Sequence, residues 1–297
     1  MTSKTGSISA GVLQATLAWA RMIRIEHSIF ALPFAYMGLF WSAEGWPGWQ
    51  VFIFLTLAMI MVRSFAMTHN RLTDLPLDAL NPRTRDRALV TGEIQVRQAY
   101  YFLAASAVIF VLACAFLNLP VFLLAFFALA WSAVYSYTKR WTSICHFFLG
   151  SVLGLAPLAG WIAYTPELTL PAVFLFLGVL FWVGGFDILY STQDMEFDRE
   201  NGLKSIPARH GAATSFALAG FSHVNAALFF LLAGIAFAAS WPYYLAWFVV
   251  AVVLFIEHRI ISPDNLERLN VSFFTLNALV SVILLAGVLA DVFLVSG

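Results

Sequence analysis

Charged residues are scarce in this chain of 297 residues. Only 11% of the residues are Asp, Glu, Lys or Arg, whereas 61% are hydrophobic. An average globular domain carries about 25% charged residues, and so few charges cannot cover a water-soluble surface. The mean hydropathy of +0.85 agrees with this reading. A soluble fold, intrinsic disorder and nucleic-acid binding are therefore disfavoured.

Cysteine is also rare. The chain has two, Cys114 and Cys145, and both lie in or beside apolar segments. Two thiols in such surroundings are more typical of small buried side chains than of a disulfide or a metal site. A secreted scaffold held together by disulfides is therefore disfavoured as well.

Long apolar runs take up most of the chain. A membrane-spanning helix needs about 20 mostly apolar residues. Nine segments meet this condition, namely 27–44, 49–69, 98–117, 119–137, 144–164, 170–191, 212–238, 241–260 and 271–294. Very short connections around Asn118 and Ser240 predict tight helical hairpins. The sequence therefore predicts an all-α bundle of about nine transmembrane helices, with residues 1–297 forming one integral membrane domain in a lipid bilayer.

The basic residues are distributed asymmetrically along this topology. All of the sixteen Lys and Arg residues except Arg63 fall on one side of a nine-helix bundle, and the opposite loops contain Glu44 and Glu167 but no basic residue. Basic loops remain on the cytoplasmic side of a membrane. We therefore expect a cytoplasmic N-terminus, a C-terminus outside and, in a bacterium, a location in the inner membrane.

Two acidic segments interrupt the apolar pattern, and each begins at the cytoplasmic end of a span. The first has the pattern N-x3-D-x3-D and consists of Asn70, Asp74 and Asp78. The second has the pattern D-x2-Y-x3-D-x3-D and consists of Asp187, Tyr190, Asp194 and Asp198. These are called the first and second aspartate segments below.

Helical spacing places the members of each segment on one face, because residues four or seven apart lie on the same side of a helix. The second segment forms one stripe if span six continues as a helix. On span two, Arg63, Asn70 and Asp74 share a face. Pro76 removes one backbone hydrogen bond, so we expect Asp78 in a bend rather than on that face.

Carboxylates brought this close together repel one another. At an effective dielectric constant near 20, two unit charges 4 Å apart interact by about 4 kcal/mol. A divalent cation removes this conflict, and oxygen ligands favour Mg²⁺ or Mn²⁺ over zinc. Magnesium commonly takes one or two carboxylates and completes its shell with water and phosphate. The two segments therefore predict two Mg²⁺ sites that share a phosphorylated ligand.

Other interpretations of the polar residues remain open at this stage. Tyr135 and Lys139 are as typical of an aromatic belt with a snorkelling lysine as of a phosphate site. Arg71 and the basic run 83–87 are open between the same two roles. Intramembrane aspartates also mark the ion paths of cation-coupled transporters, although both aspartate segments lie at one membrane face rather than near the midplane.

Taken together, the motifs resemble the UbiA superfamily of intramembrane aromatic prenyltransferases over nearly the whole chain. The two aspartate segments match its two aspartate motifs, and Tyr135 and Lys139 match its tyrosine–lysine motif. The run 81–87 is also similar, with Ala88 where the family often has proline. Segments 24–33 and 186–190 resemble the branch that contains the 4-hydroxybenzoate polyprenyltransferases.

The resemblance implies a fold and a reaction. The fold is nine helices around a central cavity with a cytoplasmic polar cap. The reaction is Mg²⁺-dependent transfer of a polyprenyl group from an allylic polyprenyl diphosphate to an aromatic acid, with 4-hydroxybenzoate as the first candidate, in quinone biosynthesis. The same chemistry on a dihydroxynaphthoate in a menaquinone pathway, or on another aromatic acceptor, is the alternative.

The resemblance also implies a role for each site residue. The implied metal ligands are Asn70, Asp74, Asp78, Asp194 and Asp198. The implied cations for the leaving diphosphate are Lys139, Arg71 and Lys204. Tyr135 and Tyr190 would shield the allylic cation. Asp187 would take the ring proton or orient the acceptor, and the implied partners of the acceptor's carboxylate are Arg63 and Arg24.

Overall fold

The computed structural model describes residues 17–23, 28–261 and 276–295, and every regular element within these ranges is helical. Residues 17–23 form a short helical segment. The numbered helices that follow are α1 (Ser28–Ala43), α2 (Trp49–Leu80), α3 (Val96–Ala115), α4 (Leu119–Trp141), α5 (Cys145–Tyr164), α6 (Leu170–Ser191), α7 (Met195–Glu200), α8 (Ile206–Phe237), α9 (Trp241–Ile260) and α10 (Asn277–Ala290).

Over the described ranges, eight helical segments are long and apolar enough to cross a membrane. They correspond to the second to ninth predicted spans. The first predicted span corresponds to α1, of which 16 residues are described. The predicted all-α membrane bundle is confirmed, with nine as an approximate number of spans.

Both predicted hairpins have a side chain that fixes the turn. Asn118 accepts a hydrogen bond from the backbone N–H of Val121 at 3.0 Å and caps α4. Its amide also donates to the carbonyl oxygen of Ile162 at 2.7 Å, which ties this turn to the end of α5. In the turn before α9, the N–H of Ser240 donates to Asp291 at 2.6 Å. Each turn is thereby joined to a helix outside its own hairpin.

Glycine residues let the central helix α5 approach its neighbours closely. A Cβ atom on Gly160 would lie 1.9 Å from the carbonyl oxygen of Ala35 on α1, and one on Gly150 would lie 2.2 Å from that of Leu180 on α6. Small residues at such crossings allow backbones of membrane helices to touch. The contact at Gly150 sets the position of α6, whose C-terminal end carries Asp187 and Tyr190.

The two aspartate segments have different local structures. Helix α2 continues without interruption through Pro76 to Leu80, and Asp78 is a buried member of it. The expected bend at Asp78 is therefore wrong. The second segment is less regular, because α6 ends at Ser191 and a 3₁₀ turn, Thr192–Asp194, separates it from α7. The single regular helix on which the predicted stripe through Asp198 depended is therefore interrupted by a 3₁₀ turn.

Candidate active site

A cavity of about 280 Å³ lies between α2, α4, α5 and α6 at the end of the bundle that carries the basic loops. We call it the polar cavity. Its polar wall residues are Arg63, Asn70, Arg71, Arg83, Arg87, Ser132, Tyr135, Asp187 and Tyr190. Six of them are residues that the sequence predicted for the site, and they come from three different helices.

The carboxylates of the first aspartate segment lie just behind this wall and are buried. Asp74 accepts hydrogen bonds from the amide of Asn70 at 3.0 Å and from the guanidinium of Arg140 at 2.9 Å. Asp78 accepts from Arg87 at 2.5 Å. A buried carboxylate is costly unless it is paired and hydrogen-bonded, and each of these two has its own arginine.

In the second aspartate segment, Asp194 is held by residues that follow α2. Arg83 forms a two-pronged ion pair with it through Nε and Nη2, and the amide of Asn81 donates to it at 3.1 Å. Nη1 of Arg83 also donates to the hydroxyl of Tyr190 at 3.1 Å. Burial opposes the charge of Arg83, but the hydrogen bond and charge of Asp194 outweigh it and raise the pKa of the guanidinium above its ordinary value.

The loop after α2 therefore joins the two segments at one end of one cavity. Its Asn81 and Arg83 reach Asp194, while its Arg87 reaches Asp78. The hydroxyl of Thr84 donates to the backbone carbonyl of Asp78 at 3.1 Å and fixes the loop against the helix. Two acidic helix ends that are far apart in the sequence thus share a set of cationic partners.

The remaining predicted site residues take different positions. Lys139 is close enough to interact electrostatically with Asp194 and with the buried Asp198, whose carboxylate is hydrogen-bonded to Ser205. Lys204 is exposed and does not line the polar cavity, because its amine donates to the carbonyl of Trp141 at 3.3 Å. Arg24 lies outside the described residues.

Sequence reasoning missed two partners of the aspartates. Arg140 was considered only for membrane orientation, although it pairs with Asp74. His146 belongs to no motif in the sequence, yet its Nδ1 lies 2.7 Å from a carboxylate oxygen of Asp187. No spacing rule connects these residues, since 66 positions separate Arg140 from Asp74 and 41 separate His146 from Asp187. The basic run 83–87, by contrast, was visible in the sequence.

The donor set fits magnesium better than a softer metal. Within the described ranges there is no group of three or more His, Cys, Asp or Glu side chains arranged to hold a metal. The carboxylates instead lie in two sets joined by arginines, near one cavity. Because Mg²⁺ takes one or two carboxylates and fills its shell with water and phosphate oxygens, two separated oxygen-donor sets are what a shared diphosphate would need.

A second, apolar cavity of about 350 Å³ adjoins the polar one. The two share the wall residues Met59, Phe110, Ala128, Leu155 and Ala159. All sixteen residues that line the second cavity are apolar, and it extends along α4 and α5 to Leu117 and Leu168 near the opposite end of the bundle. The combined space suits a molecule with an anionic head and a long hydrocarbon tail.

Comparison with known proteins settles the family. Residues 31–279 match the UbiA prenyltransferase family. The chain belongs to this family. It is therefore a prenyltransferase, as the resemblance implied, and the transporter alternative loses its basis.

Relatives of this UbiA-family protein agree in sequence and in fold. It is 30% identical over 283 residues to a 4-hydroxybenzoate octaprenyltransferase of Methylobacillus flagellatus, covering 93% of this chain and 94% of that one. A UbiA homologue of Aeropyrum pernix K1, solved without ligand, is 33% identical with a TM-score of 0.82, covering 90% and 98% of the two chains.

A more distant structure also shares the fold. The UbiA homologue of Archaeoglobus fulgidus bound to GPP and Mg²⁺ is 22% identical and superimposes with a TM-score of 0.71. The alignment covers 93% of this chain and 99% of that one. The helical bundle around a central cavity is therefore the fold of this UbiA-family protein.

Proposed function

We propose that this chain transfers a polyprenyl group from an allylic polyprenyl diphosphate to 4-hydroxybenzoate, in a reaction that requires Mg²⁺. The observation that carries the proposal is the pair of adjoining cavities. One has arginines, tyrosines and an aspartate among its wall residues, and the other has only apolar walls. A diphosphate head would occupy the first and the hydrocarbon tail the second, where each buried CH₂ is worth about 0.8 kcal/mol.

The diphosphate would bind between the two aspartate segments. Asn70, Asp74, Asp78, Asp194 and Asp198 would hold Mg²⁺, which when bound supplies positive charge to the departing phosphate oxygens. Arg83, Arg71 and Lys139 lie in or beside the polar cavity and would neutralise the rest of that charge. Fixed cations of this kind act where charge develops in the transition state. Lys204, which is directed at the end of α4, is a weaker candidate for this role.

Bond cleavage and transfer would take place against the aromatic wall. The C–O bond of the polyprenyl diphosphate breaks, its electron pair leaves with the diphosphate, and an allylic cation remains. The rings of Tyr135 and Tyr190 line the cavity and present π faces that favour a cation and exclude water. A ring carbon of the acceptor then forms the new bond, and Asp187 takes the displaced ring proton.

Arg63 is our candidate partner for the acceptor's carboxylate. It lies on α2 and lines the polar cavity. It is two helical turns before Asn70, toward the apolar middle of the helix. A guanidinium can hold a carboxylate by two charge-assisted hydrogen bonds. Relatives named as 4-hydroxybenzoate octaprenyltransferases favour 4-hydroxybenzoate as the acceptor. A dihydroxynaphthoate also carries an aromatic carboxylate and is the second candidate.

We also propose that the polar cavity faces the cytoplasm. The basic residues that pair with the aspartates, Arg83, Arg87 and Arg140, all lie at this end of the bundle, and basic loops stay inside. Relatives from bacteria point to an inner membrane. A reporter enzyme that is active only outside the cytoplasm should be active when it is fused after Gly297. If that fusion is inactive, and a fusion to a reporter that is active only in the cytoplasm is active, the orientation is the reverse of the one proposed.

An acceptor panel tests the proposed reaction. The purified chain in lipid vesicles is incubated with Mg²⁺, one polyprenyl diphosphate and, separately, labelled 4-hydroxybenzoate, a 1,4-dihydroxynaphthoate and homogentisate. We expect a prenylated product that is most abundant with 4-hydroxybenzoate and disappears with EDTA. Transfer to the dihydroxynaphthoate alone would reassign the acceptor, and no product with any acceptor would contradict the proposed function.

A further inference from the structure

A buried histidine lies directly behind Asp187. Nδ1 of His146, at the start of α5, is 2.7 Å from a carboxylate oxygen of Asp187 on α6. The side chain of His146 is 3% exposed, whereas that of Asp187 is 22% exposed and lines the polar cavity. His146 is not part of the cavity wall. It can therefore act on a bound molecule only through the aspartate in front of it.

The other ring nitrogen of His146 determines where its proton resides. The backbone N–H of Ile206 donates to Nε2 at 3.2 Å. A nitrogen that accepts a hydrogen bond carries a lone pair and no proton. The hydrogen-bond pattern therefore assigns the single proton of a neutral imidazole to Nδ1, from which it is donated to Asp187. In this arrangement the aspartate is the hydrogen-bond acceptor, as an ionised carboxylate requires.

The turn that holds His146 also touches other parts of the site. Ile206 is the first residue of α8, and the N-cap before it is Ser205, whose side chain is hydrogen-bonded to Asp198. One residue earlier, the backbone N–H of Lys204 donates to the carbonyl of Lys139 at 2.7 Å. The orientation of the imidazole is thus fixed by the same short turn that contacts the second aspartate segment and α4.

We propose that His146 is a positioning residue for the acceptor half of the reaction, because it orients the Asp187 carboxylate into the polar cavity. This inference rests on the proposed function. When the ring carbon bonds to the prenyl carbon, the diphosphate has left with the electron pair of the broken C–O bond. The ring proton passes to Asp187 and then to water. His146 keeps its own proton throughout and holds the Asp187 carboxylate in its orientation. Hydrogen-bond partners behind metal ligands orient those ligands in the same way.

Two substitutions at this position separate orientation from packing. His146→Leu removes the hydrogen bond to Asp187. His146→Asn retains a donor, since its amide nitrogen can replace Nδ1. We expect His146→Leu to lower kcat/KM for 4-hydroxybenzoate by about 10–100-fold with the KM for the polyprenyl diphosphate unchanged. His146→Asn should restore the value to within a few-fold of the wild type, and His258→Leu on α9 serves as the histidine control.

A structural role would give a different pattern. A comparable rise in the KM for both substrates in His146→Leu, or no recovery of kcat/KM in His146→Asn, would overturn the inference. An activity-independent measurement is the ¹⁵N spectrum of histidine-labelled protein in lipid. It should contain a neutral imidazole protonated at Nδ1 that disappears in His146→Asn and shifts in Asp187→Asn. If the ring whose signal disappears in His146→Asn were protonated at Nε2, or at both nitrogens, the inference would also be overturned. If the wild type prenylates no acceptor, the proposed function fails, and this spectrum still decides the orientation of the His146–Asp187 pair.

Discussion

Two clusters of polar side chains among the described residues lie inside a mostly apolar bundle, and they are built differently. In the cavity cluster, the aspartates are paired with arginines, and the side chains of Arg83 and Asp194 remain 30% and 17% exposed. The rear cluster lies among α6, α8, α9 and α10. It consists of Trp182, His223, Glu257, His258 and Asn277.

The rear cluster is more deeply buried than the cavity cluster at its charged members. The indole of Trp182 donates to Asn277 at 2.8 Å, and Asn277 donates to Glu257 at 3.1 Å. His223 and Glu257 are each 2% exposed, and no member of the cluster lines either of the two cavities. Charges that border a cavity can exchange one partner for a ligand, whereas a closed network of hydrogen bonds mainly holds helices together.

The largest expected effect is the loss of activity in Asp194→Ala. This substitution removes a proposed metal ligand from the cavity cluster, and the loss of one fixed electrostatic group commonly costs a factor of about 10² to 10³ in turnover. Asp74→Ala should behave in the same way. Prenyl transfer is measured at saturating Mg²⁺, and the thermal midpoint Tm is measured in detergent. We expect little change in Tm, since Arg83 remains partly solvated.

A neighbouring acidic residue provides the control. Glu196 lies two positions after Asp194 and is exposed, so Glu196→Ala should retain activity. If Asp194→Ala kept full activity and instead unfolded at a much lower temperature, the cavity cluster would be structural like the rear one. The distinction between the two clusters would then fail, and with it the proposed metal site.

The next largest effect is expected for Arg63→Ala. A hydrogen bond to a charged group is worth about 1.5–3 kcal/mol, which corresponds to a factor of about 10–100 in kcat/KM for the acceptor. The KM for the polyprenyl diphosphate should change much less. Arg97→Ala on α3 is the control, because Arg97 is exposed and contacts only Tyr101 among its described partners. A loss confined to the polyprenyl diphosphate would move Arg63 to the diphosphate end of the site.

The helical architecture was accessible from sequence because lipid leaves few alternatives. A segment inside a bilayer must satisfy its own backbone hydrogen bonds, so about 20 apolar residues already imply a helix. The errors lie at the polar ends, where this constraint weakens. Helix α2 extends past residue 69 to Leu80, and the 3₁₀ turn Thr192–Asp194 interrupts the second aspartate segment. Neither the extension nor the turn has a signature in hydropathy.

The site was only partly accessible for a related reason. Spacing along one helix correctly joined Asn70 to Asp74, four residues apart. Contacts between helices depend on tertiary packing, which residue spacing along one helix does not predict. The pairs Arg140–Asp74, Arg83–Asp194 and His146–Asp187 are therefore visible only in the structure. The rear cluster was missed for the same reason, since its members are single polar residues on four separate helices.

A smaller effect is expected from filling the apolar cavity with Ala125→Phe. Ala125 is 2% exposed and lines this cavity, so a phenyl ring there would displace part of the tail. Excluding about two CH₂ groups costs about 1.6 kcal/mol, or roughly tenfold in kcat/KM for a long-chain polyprenyl diphosphate. A short-chain one should be unaffected. Equal losses for both chain lengths would mean that the tail lies elsewhere, and Ala105→Phe on the exposed face of α3 controls for the added bulk.

The smallest effect on activity is expected in the rear cluster, where Asn277→Leu should reduce stability instead. The substitution removes the acceptor for the indole of Trp182 and a donor to Glu257. Leaving buried polar groups with fewer partners costs about 1–3 kcal/mol, which should lower Tm by several degrees. Activity per folded molecule should remain near that of the wild type.

A matched asparagine makes this result decisive. Asn225 on α8 is half-buried, and the hydrogen bond described for its side chain goes to the carbonyl of Phe221 within its own helix, so Asn225→Leu should leave Tm almost unchanged. If Asn277→Leu kept its Tm but lost acceptor turnover, the rear cluster would be coupled to the polar cavity. Such coupling would act through Trp182, whose ring packs 5.0 Å from that of Phe186 on the cavity wall.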